Sequence, residues 1–180
     1  MKGLYLSIAS FMCSASLCAQ LDSIQYLNEV VLVDSKLEEF SEGYTLTKIS
    51  DTLVSRNPVS LSDLLNFNSN IYIKENGYGM VASPSFRGTN ASQTAVIWNG
   101  IPINSNLTGQ TDFNTIATAS LTNVIIRSGG GSSQYGSGAV GGSIHLNNTI
   151  EFTENSSNEL TIYYGSYASV GAIFKRKIAT

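Results

Sequence analysis

Charge is scarce in this sequence. Only 13% of its 180 residues are Asp, Glu, Lys or Arg, about half the roughly 25% usual in soluble domains. The net charge is −3, and the one basic cluster is Lys175-Arg176-Lys177, which argues against nucleic acid as a partner. Cysteine is rarer still, with Cys13 and Cys18 alone, both near the N-terminus. Histidine occurs once, at His145, alternating with Ile144 and Leu146 and with no carboxylate close in sequence to share a metal. Neither a partnered Ser-His-Asp set nor a G-x-S-x-G turn is present. Asp63, at a helix start, and Asp112, in a turn, have ready structural roles. These shortages make an enzyme unexpected and call for no cofactor or metal. Outside the N-terminus, no apolar run reaches the ~18 residues of a spanning helix.

What is present begins with an export signal. Lys2 precedes a short apolar run over residues 4–12, and Ser14-Ala15-Ser16-Leu17-Cys18-Ala19 is a zone of mostly small residues. Cleavage after Ala19 is expected. It removes both cysteines, and with them disulfides and Cys-ligated metals. Loss of Lys2 from 10 basic residues against 13 acidic ones takes the net charge from −3 to −4. A weakly acidic chain rich in Asn, Ser, Thr and Gly fits a secreted or envelope protein. Next, Leu27-Asn28-Glu29-Val30-Val31-Leu32-Val33 is a β-prone run between polar flanks, followed by Glu38, Glu39 and Glu42. It reads equally as an edge strand or as an extended peptide offered to a partner for strand addition.

The centre of the chain is residues 84–104. Ala95-Val96-Ile97-Trp98 is an apolar β-prone run, Asn99-Gly100 suits a turn with positive φ at both central positions, and Ile101-Pro102-Ile103 resumes the pattern. Pro102 has no N–H for a ladder, so the return strand is short or lies at an edge. Around this hairpin the pattern predicts strands at 44–49, 71–73 and 123–127, a helical turn from 50, and a capped helix over 60–66. Residues 128–142 read as a glycine-rich loop and 143–147 as a strand. Within the loop, Gly136-Ser137-Gly138-Ala139-Val140-Gly141 matches G-x-G-x-x-G. β alternation resumes where a helix should open, which excludes the dinucleotide reading and leaves close passage of backbone past backbone. Residues 160–167 and 170–175 alternate and carry aromatics, the weak signature of membrane β-barrel strands, or else of an ordinary soluble hairpin.

Four blocks together resemble the plug domain of TonB-dependent outer-membrane receptors. The run Leu27 through Val33 looks like a TonB box. Leu61-Ser62-Asp63-Leu64-Leu65 with Asn70-Ile71-Tyr72-Ile73-Lys74 looks like the family's leucine helix and first sheet strand. Phe86-Arg87-Gly88 with Ala95-Val96-Ile97-Trp98-Asn99-Gly100-Ile101-Pro102-Ile103 looks like its R-G … D-G-v-p block. Val124-Ile125-Ile126-Arg127-Ser128-Gly129 with Ser133-Gln134-Tyr135-Gly136 and Ala139-Val140-Gly141-Gly142-Ser143-Ile144 looks like its Y-G-x-x-A-x-G-G-x-I block. Asn99 replaces the usual Asp, Ile125 or Ile126 a common acid, Gly130 the usual Pro, and Leu32-Val33-Asp34 a more Thr/Ala-like box ending.

The resemblance implies an α+β fold: a small mixed four-stranded sheet with short helices, followed by the first strands of a truncated transmembrane β-barrel. It divides the chain into a signal peptide (1–19), a TonB-box segment and linker (20–42), a plug domain (43–148) and the start of a barrel (149–180). By the same implication, Glu29, Val30, Val31, Leu32 and Val33 pair with a TonB-type periplasmic energy-coupling protein. Apical loops meet a small-molecule ligand, cobalamin or a metal chelate, through Asn76, Tyr78, Asn104, Asn106 and Gln110. Arg87, Gly88, Asn99, Gly100, Arg127, Tyr135, Gly136, Gly141 and Gly142 are structural, with both arginines either ion-pair partners or solvated strand ends. Residues 93–100 with 109–113 look most similar to cobalamin-type receptors. The implied location is the outer membrane, reached through the barrel. A 22-stranded barrel at about 10 residues per strand needs about 220 residues, and residues 150–180 supply about two strands. The expectation is a fragment of a receptor or, as the alternative, a soluble periplasmic plug-like binding module without transport.

Overall fold

The computed structural model describes residues 37, 43–77, 79–148 and 156–178, all in one compact unit spanning 31–180. The expected signal peptide, the expected TonB box at 29–33, and Tyr78 lie outside the described residues. In chain order the elements are β1 (Thr45–Ile49), α1 (Asp51–Arg56), α2 (Leu61–Asn68), β2 (Tyr72–Glu75), β3 (Ala82–Ser85), β4 (Thr94–Trp98), β5 (Ile101–Pro102), β6 (Asn123–Ser128), α3 (Ser132–Tyr135), β7 (Gly142–Asn147), β8 (Ser157–Tyr164) and β9 (Val170–Lys177). Short 3-10 turns at Ala91–Gln93, Phe113–Thr115 and Thr118–Ser120 fill the connections.

The main sheet has the order β1-β6-β7-β4-β5. Its β4–β7 pair is parallel and its other pairs are antiparallel. Four strands run five or six residues. The fifth, β5, is two residues at the edge, so the expected four-stranded mixed sheet carries one short added strand. Pro102 accounts for both the length and the edge position of β5, because it offers no N–H to a further strand. The strands β2 and β3 pair only with each other, as do β8 and β9.

Register assigns the two faces of the sheet. Ile49, Val96, Val124, Ile126, Ile144 and Leu146 point to one side and form a single core with Val54, Leu61, Leu64, Leu65 and Phe113. Leu61, Leu64 and Leu65 are fully buried, and each such side chain contributes about 1.5–3 kcal/mol. Ser60 caps α2 by accepting from the Asp63 N–H (3.3 Å). The helix runs two residues past the predicted end. There Asn68 Nδ2 donates to Leu64 O (2.9 Å) and Ser69 Oγ to Leu65 O (2.6 Å), satisfying carbonyls the helix leaves open. On the other face, Ala95 and Ile97 pack with Tyr135 and Ala139 from the glycine-rich segment.

That segment contains a helical turn, α3, where sequence predicted only a loop. Gly136, at φ 85°, closes it by donating to Ser132 O (3.1 Å). The close approaches expected of its glycines are present. A Cβ on Gly142 would stand 2.6 Å from Arg127 O, and one on Gly141 would stand 2.6 Å from Thr89 Oγ1.

Candidate functional site

The central hairpin is fastened at both ends of β4, and each fastening serves a different purpose. At the Trp98 end, Asn99 (φ 47°) and Gly100 (φ 82°) both have positive φ, as a type I′ turn requires. Asn99 Oδ1 accepts from the Asn148 N–H (3.0 Å), and Asn99 Nδ2 donates to Asn148 Oδ1. Trp98 Nε1 donates to the same oxygen (3.1 Å). An Asp at position 99 would accept from the Asn148 N–H and lose the return bond. Asn148 immediately follows β7, so this clasp fixes the point at which the chain leaves the sheet.

At the Thr94 end, Asn104 takes over where β5 stops. Its Oδ1 accepts from the Val96 N–H (2.7 Å), and its Nδ2 donates to Thr94 O and Gly109 O (both 2.9 Å). The side chain of Asn104, a residue expected to contact ligand, bonds three backbone groups of its own loop and strand. The loop beyond it closes on itself. Ser105 N donates to Gln110 O (2.9 Å), Gly109 N to Ser105 O (2.7 Å), and Leu107 N and Thr108 N to Ser105 Oγ (both 3.3 Å). Asn106, Leu107 and Gln110 are left exposed on a fixed frame.

The second expected loop, at the tip of β2–β3, is tied to the same stretch of chain. Asp112 Oδ1 accepts from Ala82 N (3.0 Å) and Asn114 N (3.1 Å). Asn114 Nδ2 donates to Glu75 Oε1 (2.9 Å) and to Met80 O (2.5 Å), while its Oδ1 accepts from Ser62 Oγ. Asn114 thus joins α2, β2, the hairpin tip and the segment after the loop at 104–110. Asn76 is exposed beside it, its N–H donating to Val81 O (3.3 Å). Burial, and then the Glu75 carboxylate, push the Asp63 carboxyl above its usual range.

The two arginines part company. Arg127 is buried, with its Cζ 3.8 Å from the Tyr44 ring centroid and 5.8 Å from that of Tyr135. A Cβ at Gly131 would overlap its guanidinium. Tyr135 in turn meets His145 edge-on, centroids 4.9 Å apart, and His145 Nε2 shares a 2.8 Å hydrogen bond with Ser143 Oγ. The lone histidine is therefore a packed core residue. Arg87 is exposed. With Gly88 it forms a tight turn in which both residues have positive φ (48° and 84°), closed by Thr89 N donating to Phe86 O (2.9 Å). Arg87 borders a cavity of about 150 Å³ of mixed lining, with Thr45, Thr47, Asn70 and Ser128 beside Ile71, Phe86 and Ile126. Among the described residues, no group of His, Cys, Asp and Glu is placed to hold a metal ion.

Sequence reasoning missed Asn114 and the scaffold role of Asn104. Asn114 acts through contacts distant along the chain, and Asn104 through main-chain groups of its own hairpin and loop. Only the Asn-rich composition around them hinted at amides replacing strand and turn bonds.

The remaining described pair, β8–β9, divides by face. Leu160, Ile162, Tyr164, Val170, Ala172 and Phe174 share one side in register and are all exposed. Thr161, Tyr163, Gly171, Ile173 and Lys175, on the other side, are half-buried.

A mixed sheet with a few short helices is the fold shared with the plug of TonB-dependent receptors. Residues 44–143 match the family described as TonB-dependent Receptor Plug Domain, and the chain belongs to that family. It is 26% identical over 144 residues to the Vitamin B12 transporter BtuB of Vibrio vulnificus, covering 77% of this chain and 23% of that protein. It is 27% identical over 138 residues to Transferrin-binding protein A of Haemophilus influenzae, covering 70% of this chain and 15% of that protein. The chain thus spans less than a quarter of these relatives. Among solved structures, the fold is similar to that of the ferric yersiniabactin uptake receptor FyuA of Yersinia pestis (TM-score 0.59, 22% identity, 74% of this chain and 21% of that one). It is also similar to the siderophore receptor PiuA of Acinetobacter baumannii (TM-score 0.57, 19% identity, 73% and 18%).

Proposed function

We infer that this chain is the plug portion of an outer-membrane receptor that imports a scarce ligand, such as cobalamin or a metal chelate, with energy supplied by a TonB-type periplasmic protein. The observation that carries this reading is the coincidence of the family match over 44–143 with a sheet whose two ends are built differently. One end holds the closed, polar loop at 104–110 through Asn104, and the other delivers the chain through the Trp98–Asn99–Asn148 clasp. A domain of this kind sits in a barrel lumen with its loops toward the ligand. In this reading Asn76, Tyr78, Asn106 and Gln110 meet ligand, while Asn104 holds the loop that carries Asn106 and Gln110. Arg87, exposed beside its cavity, is the group available to a lumen wall, while Arg127 is buried against Tyr44.

The domain division follows: signal peptide 1–19, box and linker 20–42, plug 43–148, and the first barrel strands from 149. The exposed apolar side of β8–β9 favours a membrane-embedded receptor over a soluble periplasmic module, since six such residues on one face of a lone hairpin have no cover in water. Residues 29–33 are the extended segment that pairs with the energy-coupling protein. Their deletion from the intact receptor should abolish energised uptake and leave ligand binding unchanged, measured with radiolabelled ligand on whole cells. Uptake that survives the deletion would refute the box assignment.

A further inference from the structure

The loop at 104–110 holds an aliphatic side chain out in water. Leu107 is 93% exposed, on a loop whose backbone is closed by its own hydrogen bonds. Ser105 Oγ accepts from Leu107 N and Thr108 N, and Asn104 Nδ2 pins Gly109 O. Gly109, at φ 69°, lies so close to Ser92 that a Cβ there would be 3.1 Å from Ser92 Cβ. The tip of β2–β3 repeats the arrangement. Met80 and Val81 are exposed, Met80 N donates to Gly77 O (3.0 Å), and Asn114 Nδ2 holds Met80 O. Fixed, exposed apolar groups contribute little to the fold, but they meet an incoming partner without losing freedom.

Charge limits the partner. Residues 76–81 and 104–111 contain no Asp, Glu, Lys, Arg or His. The charged groups in the anchor are acidic, Glu75 and Asp112. Lys74 alternates to the opposite side of β2 from Glu75, and Arg87 lies beyond the far end of β3. An anion brought to these loops would give up water and find no cation in return. An uncharged molecule finds the Asn106 and Gln110 amides beside the aliphatic groups.

We propose that Leu107 and Met80 are specificity-determining contacts for an uncharged, amide- or hydroxyl-bearing ligand with an apolar body, and that these loops discriminate against anionic metal chelates. The proposal rests on the reading of these loops as ligand-facing. The test is amide NMR on the intact receptor, 15N-labelled at Met, Val, Leu and Thr, with two bulky probes, cyanocobalamin without net anionic charge and ferric enterobactin as the anion. Cyanocobalamin should shift the amides of Met80, Val81, Leu107 and Thr108, and ferric enterobactin should leave them in place. Leu107→Asp should weaken the cyanocobalamin shifts at least tenfold with the remaining spectrum unchanged, and Leu107→Lys should admit the anionic chelate. Shifts from ferric enterobactin on the unaltered receptor, or from neither probe, overturn the proposal. Binding of a periplasmic TonB domain to residues 29–33 of the same receptor is scored separately. Its loss would sink the receptor reading whatever the loops bind, and its persistence with the wrong ligand charge would sink only the proposal made here.

Discussion

Single amides do much of the positioning in this domain. Asn104 satisfies one N–H and two carbonyls where a longer β5 would have done so. Asn104→Ala leaves the Val96 N–H without its acceptor and should cost about 2–3 kcal/mol, at about 1 kcal/mol per lost bond, read from urea unfolding. Asp63 gives a second test. Its carboxyl is raised by burial and then by Glu75, so the folded chain holds the proton to higher pH than the unfolded one. Stability therefore falls as pH rises from the ordinary carboxylate range through the raised value, and the penalty is complete above it. Glu75→Gln keeps an acceptor for Asn114 Nδ2 and removes the charge. It should lower the Asp63 pKa toward the ordinary value, measured by carbon-13 titration of its carboxyl. Sequence exposes such residues unevenly. Asn99 was legible because Asn-Gly is the pair that takes positive φ twice. Arg87 takes the same conformation with no local sign of it, since arginine has no preference for that region. Asn104 and Asn114 were legible as loop amides but not as anchors, because their partners lie 5–10 and 34–54 residues away.

At the scale of elements, alternation and punctuation carried most of the information. Pro102 foretold a short edge strand, and the capped leucine pattern foretold α2 to within two residues at its C-terminal end. The glycine-rich segment was read correctly for close backbone approach at Gly141 and Gly142 but not for α3. Four residues closed by one glycine are too few for a helical period to show. The β8–β9 hairpin follows its strict alternation, and its two faces make separate predictions. Phe174→Arg, on the exposed apolar face, puts a cation on the side assigned to lipid, at a cost of about 2–4 kcal/mol near the bilayer midplane. It should deplete the intact receptor from outer-membrane fractions. Ile173→Arg, one residue along and on the half-buried face, should leave its level near normal. Equal depletion by both would remove the face assignment.

For the molecule as a whole, the parts agree on one arrangement. A low-charge domain has the 104–110 loop held at one end of β4 by Asn104 and its exit after β7 clasped at the other by Asn99 and Trp98. The fold class was legible because four weak motifs occur in one order across 27–147. The ligand was not, because it depends on which side chains the loop hydrogen bonds leave outside. The central claim is that residues 43–148 occlude a lumen. The most direct measurement is conductance across planar bilayers of the intact receptor with and without residues 43–148. The account predicts a closed protein that becomes a large, steady pore when the domain is removed. Conductance that is the same with and without it would contradict the account.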